Sequence, residues 1–319
     1  MSIQRYSPDP GLLLVRHHIS AYATLSGFEM NMPEYSQRPP APLGSIEPHA
    51  PLLCIPPDDQ LLYKVMTVEN LLCSVTRNYL HFNCVDSYTD FPNADKNDGQ
   101  QLPKDQPVNA AVSFEKTPNF SAAHYYDQSR ARTYACCFST KNSDYIWNNY
   151  GNGSEKGKVC VVFEFGKLRA LLNRALKGAA LLYEGSVCRQ IFSVNYGLVH
   201  YVDWGSHRTN ERYLSNPIFY TYIKDASRFC EENELRISLS AIGIGQFALK
   251  DGALIKFPSS LQFGFDFREA IANATIQEIL LAQEADSGFL MQALSKLRIE
   301  PAPVPANTWR LLRLRNLRH

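Results

Sequence analysis

Prolines constrain the first part of this chain more than any other feature of its sequence. More than half of the 19 prolines lie before residue 58, and each removes a backbone donor and restricts the residue before it. We expect these prolines to interrupt helices and strands in this part of the chain. We therefore expect residues 1–58 to form a leader, either an extended arm on the domain or a partly ordered segment that binds a partner protein. These prolines are Pro8, Pro10, Pro33, Pro39, Pro40, Pro42, Pro48, Pro51, Pro56 and Pro57.

The overall composition is that of an ordinary globular protein, with 45% hydrophobic and 20% charged residues. The net charge of +1 provides no global field for nucleic acid or membranes, so any basic patch must be local. Eight cysteines occur without a Cys-x-x-Cys pair, which favours a reducing compartment over a zinc site. Apolar runs are too short for a secretory signal or a membrane span, so we expect a cytoplasmic protein.

Hydrophobic periodicity predicts one α+β domain over residues 59–286, with a mixed, largely antiparallel sheet and flanking helices. The Lys-Asp-Gly-Ala junction at 250–253 predicts a two-residue hairpin turn. A C-terminal helix and a basic tail are expected over 287–319. Strands are predicted near 61–66, 79–84, 133–138, 158–165, 234–242, 246–250, 253–257 and 261–265, and helices near 67–77, 120–132, 143–150, 166–178, 220–230 and 267–285.

The segment from Glu232 to Leu239 carries the most informative group of charged residues. In a strand, its alternate leucine and isoleucine residues face a core, while Glu234, Arg236 and Ser238 share the opposite face. Two carboxylates two residues apart push each other's pKa apart, so that one can act as a base while the other orients a substrate. The alternative is a solvated strand edge carrying a Glu–Arg pair.

An aromatic pair follows the Cys-Phe-Ser strand that ends at Ser139. Trp147 and Tyr150 lie three residues apart and share one face of a short helix, where they could stack a nicotinamide or a nucleobase. Aromatic residues at this spacing are also typical of a core, so both interpretations remain open.

Two further features have simple alternatives. Tyr63 and Lys64 lie on the first strand of the domain, where the lysine could contact a phosphate or sit at the rim of the sheet. An acidic loop could bind a hard cation through oxygen ligands, but a solvated turn is the interpretation that we favour for it. Its carboxylates are Asp86, Asp90, Asp95 and Asp98.

Taken in order, these segments resemble a family of mainly bacterial proteins known as domain of unknown function 2971. The resemblance covers residues 61–282 and departs from the family pattern at Val65, at Phe229 and in the 90–95 loop, which lacks the usual Asn-Asp-Pro. The matching positions are Leu62, Tyr63, Lys64, residues 86–99, Cys137, Phe138, Ser139, Trp147, Tyr150, Lys156, Gly157, Phe229, Glu232, Glu234 and Arg236.

The layout of that family is similar to that of ADP-ribosyltransferases, which place a His or Arg on a first strand, a Ser or Tyr on a second and a catalytic Glu on a later one. Lys64, Ser139 and Glu234 stand at these three positions here, and Lys64 departs from the pattern because it is neither His nor Arg. The resemblance implies an ADP-ribosyltransferase-like fold and NAD as substrate, in a toxin or antiviral-defence effector that modifies protein or nucleic acid. The implied catalytic residues are Glu234 and Glu232, and the implied cofactor-binding residues are Tyr63, Lys64, Ser139, Trp147, Tyr150 and Arg236.

Two other functional classes stay open. A nuclease or hydrolase could use the aspartates of the 86–98 loop with Glu232 and Glu234, and it would require Mg²⁺ or Mn²⁺. A non-catalytic module could sense a nucleotide or a partner protein, and it would tolerate neutralisation of Glu234 as long as its ligand still bound. For the transferase we expect Glu234→Gln to abolish activity without harming the fold, because an exposed strand face tolerates an isosteric amide.

The end of the chain is strongly basic and also rich in leucine. It can pack on the domain as a helix through its leucines, or it can form a local cationic patch that contacts nucleic-acid phosphates. Its arginines are Arg310, Arg313, Arg315 and Arg318.

Overall fold

A mostly antiparallel sheet with flanking helices forms the fold, as the order of elements predicts. Among the described pairings of the large sheet, only one is parallel. The computed structural model describes residues 12–16, 53–90, 94–114, 117–176, 179–183, 186–189, 192–209, 217–241, 246–249, 254–296, 300–301, 311–312 and 314–315.

The helices and strands have the following bounds. The helices are α1 (Val68–Arg77), α2 (Gln106–Ala111), α3 (Ala122–Arg130), α4 (Asp144–Asn149), α5 (Phe165–Leu176), α6 (Ala226–Phe229), α7 (Phe267–Ala272) and α8 (Ser287–Lys296). Short 3₁₀ helices span Val85–Asp90, Pro217–Tyr222 and Cys230–Glu232. The strands are β1 (Leu12–Arg16), β2 (Leu61–Thr67), β3 (Tyr79–Cys84), β4 (Ser113–Phe114), β5 (Thr117–Ser121), β6 (Thr133–Ser139), β7 (Lys158–Glu164), β8 (Ala179–Tyr183), β9 (Ser186–Arg189), β10 (Phe192–Leu198), β11 (His200–Val202), β12 (Ile223–Asp225), β13 (Glu234–Ala241), β14 (Gln246–Leu249), β15 (Leu254–Lys256), β16 (Ser260–Gly264), β17 (Ile276–Leu281), β18 (Glu300–Pro301), β19 (Leu311–Leu312) and β20 (Leu314–Arg315).

Local sequence signals explain the opening of the domain. The hydroxyl of Thr67 accepts a hydrogen bond from the Asn70 amide at 3.0 Å, which caps α1 at its N-terminus. Asn78 ends the helix in the left-handed conformation, which its short polar side chain tolerates, and β3 follows at once. The predicted strand–helix–strand opening is therefore confirmed.

Strand β13 lies inside the sheet and carries the charged segment. It pairs antiparallel with β10 on one side and with β6 on the other, where Glu234 lies opposite Ser139 and Arg236 opposite Cys137. Its leucine and isoleucine side chains are buried in the main core, as the alternation predicts. The charged side chains therefore project from the opposite face of a central strand.

Two predicted helices are wrong. Residues 220–230 form the end of a 3₁₀ helix, the short strand β12 and the short helix α6. Residues 267–285 form helix α7, a turn in which Ala274 has a φ of 57°, and strand β17, which pairs with β7. The apolar pattern of this segment fits one long helix, but only its first part is helical. Its second part is a buried strand, because pairing with β7 satisfies the backbone hydrogen bonds there.

Segments near both ends of the chain add strands to the sheet. Within the predicted leader, β1 pairs with β8 and β16, and Leu53 is buried. Within the predicted tail, β19 pairs with β17. The remaining leader positions up to 52 and most of the tail lie outside the described residues. None of the helices in the described part of the chain is long and apolar enough to cross a membrane.

Candidate active site

A tight turn before β13 brings the two predicted carboxylates together. Glu232 ends the 3₁₀ helix, Asn233 adopts a left-handed conformation with a φ of 45°, and Glu234 begins the strand. The Ser139 hydroxyl donates a hydrogen bond to the Glu232 carbonyl at 2.7 Å and so fixes the turn to β6. Because the backbone reverses at Asn233, both carboxylates reach the same cation.

That cation is Lys224, which lies on β12. Its Nζ is 2.7 Å from Glu232 Oε2 and 2.7 Å from Glu234 Oε2, and its side chain is only 8% exposed. Strand β12 pairs with β11, whose Tyr201 accepts a hydrogen bond from the Glu234 amide at 2.8 Å. The two-stranded sheet of β11 and β12 therefore packs its lysine against the start of β13.

Arg236 connects Glu234 to the acidic loop. Its Nη1 and Nη2 donate to the two carboxylate oxygens of Asp98 at 2.6 and 2.8 Å, and its Nε donates to Glu234 Oε1 at 2.7 Å. Nη1 also donates to the Thr221 carbonyl at 2.6 Å. The guanidinium is fully buried and bidentate to Asp98, which is the strong geometry for such a pair. We call Asp98, Lys224, Glu232, Glu234 and Arg236 the charge network.

The two glutamates of the network titrate in opposite directions. Burial raises the pKa of the Glu232 carboxyl and the Glu234 charge adds to that, although Lys224 opposes both. Burial also disfavours charge on Glu234, but Arg236 and Lys224 outweigh it and hold the pKa of Glu234 well below its ordinary value. Three carboxylates face two cations, and Glu232 has the fewest cationic contacts. Of the two glutamates, Glu232 is therefore the one whose carboxyl takes up a proton more readily.

Tyr150 connects Glu232 to the surface. Its hydroxyl donates a hydrogen bond to Glu232 Oε1, and burial together with the carboxylate raises the pKa of this phenol. The residue as a whole is nevertheless 40% exposed, while its hydroxyl contacts the buried Glu232. Glu232 and Tyr150 thus combine a proton-exchanging group with an accessible aromatic surface.

The remaining predicted site residues contact other groups. Ser139 positions the Glu232 turn through its hydroxyl. Trp147 is buried, donates to Asn142 Oδ1 at 2.7 Å and packs in a core cluster that Tyr63 borders. Lys64 donates to the Cys137 carbonyl at 3.0 Å and lies over the Phe138 ring.

Two expectations about solvent are wrong. The face of β13 that carries Glu234, Arg236 and Ser238 is buried, because β12 and the acidic loop cover it. The acidic loop was expected to be a solvated turn, but Asp95 and Asp98 are both buried. Gly99 has a φ of 70° and a side chain there would come within 2.9 Å of Val85, so the glycine lets the loop carry Asp98 inward.

Lys224 and Tyr201 were missed by the sequence analysis. The signal for Lys224 is one lysine directly after the aromatic run of residues 219–223, which indicates a buried strand with an inward-facing charge. The predicted helix over 220–230 hid that signal. Nothing in the local sequence of Tyr201 distinguishes it from the other tyrosines.

No protein-family model matches this sequence, no curated protein matches it, and no solved structure matches its fold. The resemblance to the domain of unknown function 2971 family therefore stays a prediction from the motifs.

Proposed function

We propose that this protein is an NAD-dependent, ADP-ribosyltransferase-like enzyme in which Glu232 is the carboxylate that faces the substrate. The observation that carries the proposal is the contact between Glu232 and Tyr150, a residue that is 40% exposed and whose hydroxyl donates to the carboxylate. An ADP-ribosyltransferase-like fold is part of the same proposal. The proposal gives Glu232 the role of essential catalytic carboxylate, which the sequence pattern had assigned to Glu234.

Both glutamates are buried, and the two cationic contacts of Glu234 motivate this reassignment. Its Oε1 accepts from Arg236 Nε, and its Oε2 contacts both Lys224 and Arg236 Nη2. A carboxylate held by two cations in a buried position has little charge left to stabilise a cationic transition state. Glu232 has one cationic partner and a tyrosine at the surface, so it is better placed to meet a ribose.

In the proposed reaction the bond between ribose C1′ and the nicotinamide nitrogen breaks, and nicotinamide leaves with the electron pair. The acceptor nucleophile attacks C1′ and its proton passes to the Glu232 carboxylate. The same carboxylate stabilises the developing oxocarbenium charge more in the transition state than in the ground state. The Tyr150 ring would contact the nicotinamide, since a flat aromatic surface suits a cationic ring.

The two rival classes have less support. Among the described residues no group of three or more His, Cys, Asp or Glu side chains could hold a metal ion, and the network carboxylates already face Lys224 and Arg236. A non-catalytic binding module would not require a carboxyl whose pKa is raised next to an exposed aromatic ring.

The test measures nicotinamide release from NAD by purified protein, with and without cell-lysate protein or RNA as acceptor. Glu232→Gln should lower the rate by about 10²-fold or more, the scale of a lost general base. Glu231→Gln is the matched control, because Glu231 is the exposed neighbour on the same turn. Full activity in Glu232→Gln, or no release by the wild type with any acceptor, contradicts the proposal, and activity that depends on added Mg²⁺ favours the hydrolase.

A further inference from the structure

Lys224 has an unusual position between the two glutamates. Its Nζ makes equal contacts of 2.7 Å with Glu232 and Glu234, and it lies 3.9 Å from Asp98 Oδ2. Arg236, the other cation of the network, contacts Asp98 and Glu234. Within the network, Lys224 is therefore the cation that contacts Glu232.

We propose that Lys224 is a positioning residue that divides its charge between Glu232 and Glu234 and thereby sets both the orientation and the protonation of Glu232. The lysine does not need to touch the substrate for this role. For catalysis the inference rests on the proposed function, since it assigns Lys224 to the base of that reaction. The charge sharing itself can be measured without any substrate.

The physical argument is competition for one cation. A positive charge within hydrogen-bond distance favours the ionised carboxylate, so Lys224 opposes the effect of burial on Glu232. Glu234 competes for the same Nζ and also repels the Glu232 charge. Removing Lys224 must make Glu232 harder to ionise, whereas removing the charge of Glu234 must make it easier.

The neighbours of Glu232 define what else could move its titration. The titratable groups that interact with it come from α4, from the cap of that helix, from β11, from β12 and from β13, and Glu231 and Cys230 precede it on its own turn. They are Tyr145, Tyr150, Tyr201, Lys224 and Glu234. The tyrosines remain neutral near pH 7, so Lys224 and Glu234 are the charged members of this group.

The experiment follows the side-chain carboxyl carbons of the full-length protein, labelled with ¹³C-glutamate, through an NMR pH titration. The Glu232 signal is the one that Glu232→Gln removes. Lys224→Met should raise the Glu232 midpoint by about one to three pH units, the range for loss of a close opposite charge. Glu234→Gln should lower the midpoint, and it keeps the remaining charges balanced, so it decides the question if Lys224→Met does not fold.

Lys64→Met is the matched control. Lys64 is a partly buried lysine whose Nζ donates to a carbonyl of β6, and its loss should leave the Glu232 midpoint unchanged. An unchanged midpoint in Lys224→Met, no decrease in Glu234→Gln, or an equal shift in Lys64→Met overturns the inference. If the midpoints move as expected but the wild type releases no nicotinamide, the charge sharing stands and the proposed function alone fails.

Discussion

The two ends of the charge network differ in how completely their charges are compensated. At the sealed end, formed by Arg236 and Asp98, a fully buried guanidinium makes a bidentate pair and also binds a backbone carbonyl. At the open end, formed by Glu232 and Tyr150, one carboxylate shares a lysine with a competitor and lies under an exposed ring. We therefore expect the sealed end to contribute mainly to the stability of the fold. We expect the open end to contribute mainly to proton exchange.

The largest expected effect tests the sealed end. Arg236→Met should lower the free energy of unfolding by about 3–5 kcal/mol, because it leaves Asp98 and Glu234 buried with only Lys224 to compensate them. Urea denaturation measures the loss. The control is Arg174→Met, since Arg174 forms an exposed ion pair with Glu269 that should contribute about 1 kcal/mol or less. Equal losses in both variants would show that the sealed end has no special role.

A smaller effect is the dependence of stability on pH, which should have opposite signs for Glu234 and Glu232. The low folded-state pKa of Glu234 means that it contributes stability above its unfolded pKa, near 4.3, and loses it as pH falls through the folded value. Glu234→Gln should therefore cost about 2–3 kcal/mol at pH 7 and progressively less in acid. The sequence analysis expected Glu234→Gln to leave the fold unharmed because it placed Glu234 on an exposed face. Since Glu234 is buried, we now expect a measurable loss of stability.

Glu232 should behave in the opposite way in the same denaturation series. Its raised folded-state pKa means that the folded protein holds the proton more tightly, so stability falls as pH rises from the unfolded pKa to the folded one. Glu232→Gln should leave stability at pH 7 unchanged or raise it by about 1 kcal/mol, while it removes activity. A loss as large as that of Glu234→Gln would mean that both glutamates belong to the sealed end.

The sequence predicted the local part of this site well. Alternation along β13 correctly placed Glu234 and Arg236 on one face. The two glutamate pKa values do lie on opposite sides of the ordinary value, but burial of Glu232 and the two cations beside Glu234 are the main causes, and spacing is a lesser one. Asp98 lies 138 residues before Arg236, and no local pattern indicates that a loop so distant supplies its partner. Lys224 is only eight residues from Glu232, but its role depends on a short strand that helical periodicity concealed. The sequence therefore predicted the alternation along the strand, but it did not predict that β12 and the acidic loop bury its polar face.

The smallest effect concerns Tyr150 at the open end. Tyr150→Phe keeps the exposed ring and removes only the hydroxyl that donates to Glu232. Stability should fall by about 1 kcal/mol, the net contribution of a typical hydrogen bond, because Glu232 Oε1 loses its donor. Nicotinamide release should fall by roughly tenfold or less, and its acidic limb should move to higher pH, because the lost hydrogen bond favoured the ionised carboxylate.

Tyr63→Phe is the matched control for that measurement, because Tyr63 borders a core cluster on β2 and was a cofactor-binding candidate from the sequence. Its activity and pH profile should match the wild type. A shift in Tyr63→Phe equal to that in Tyr150→Phe would place the reacting groups on the β2 side of the sheet. An unchanged profile in Tyr150→Phe would show that Glu232 ionises independently of its tyrosine, and the distinction between the open and sealed ends would then rest on Lys224 alone.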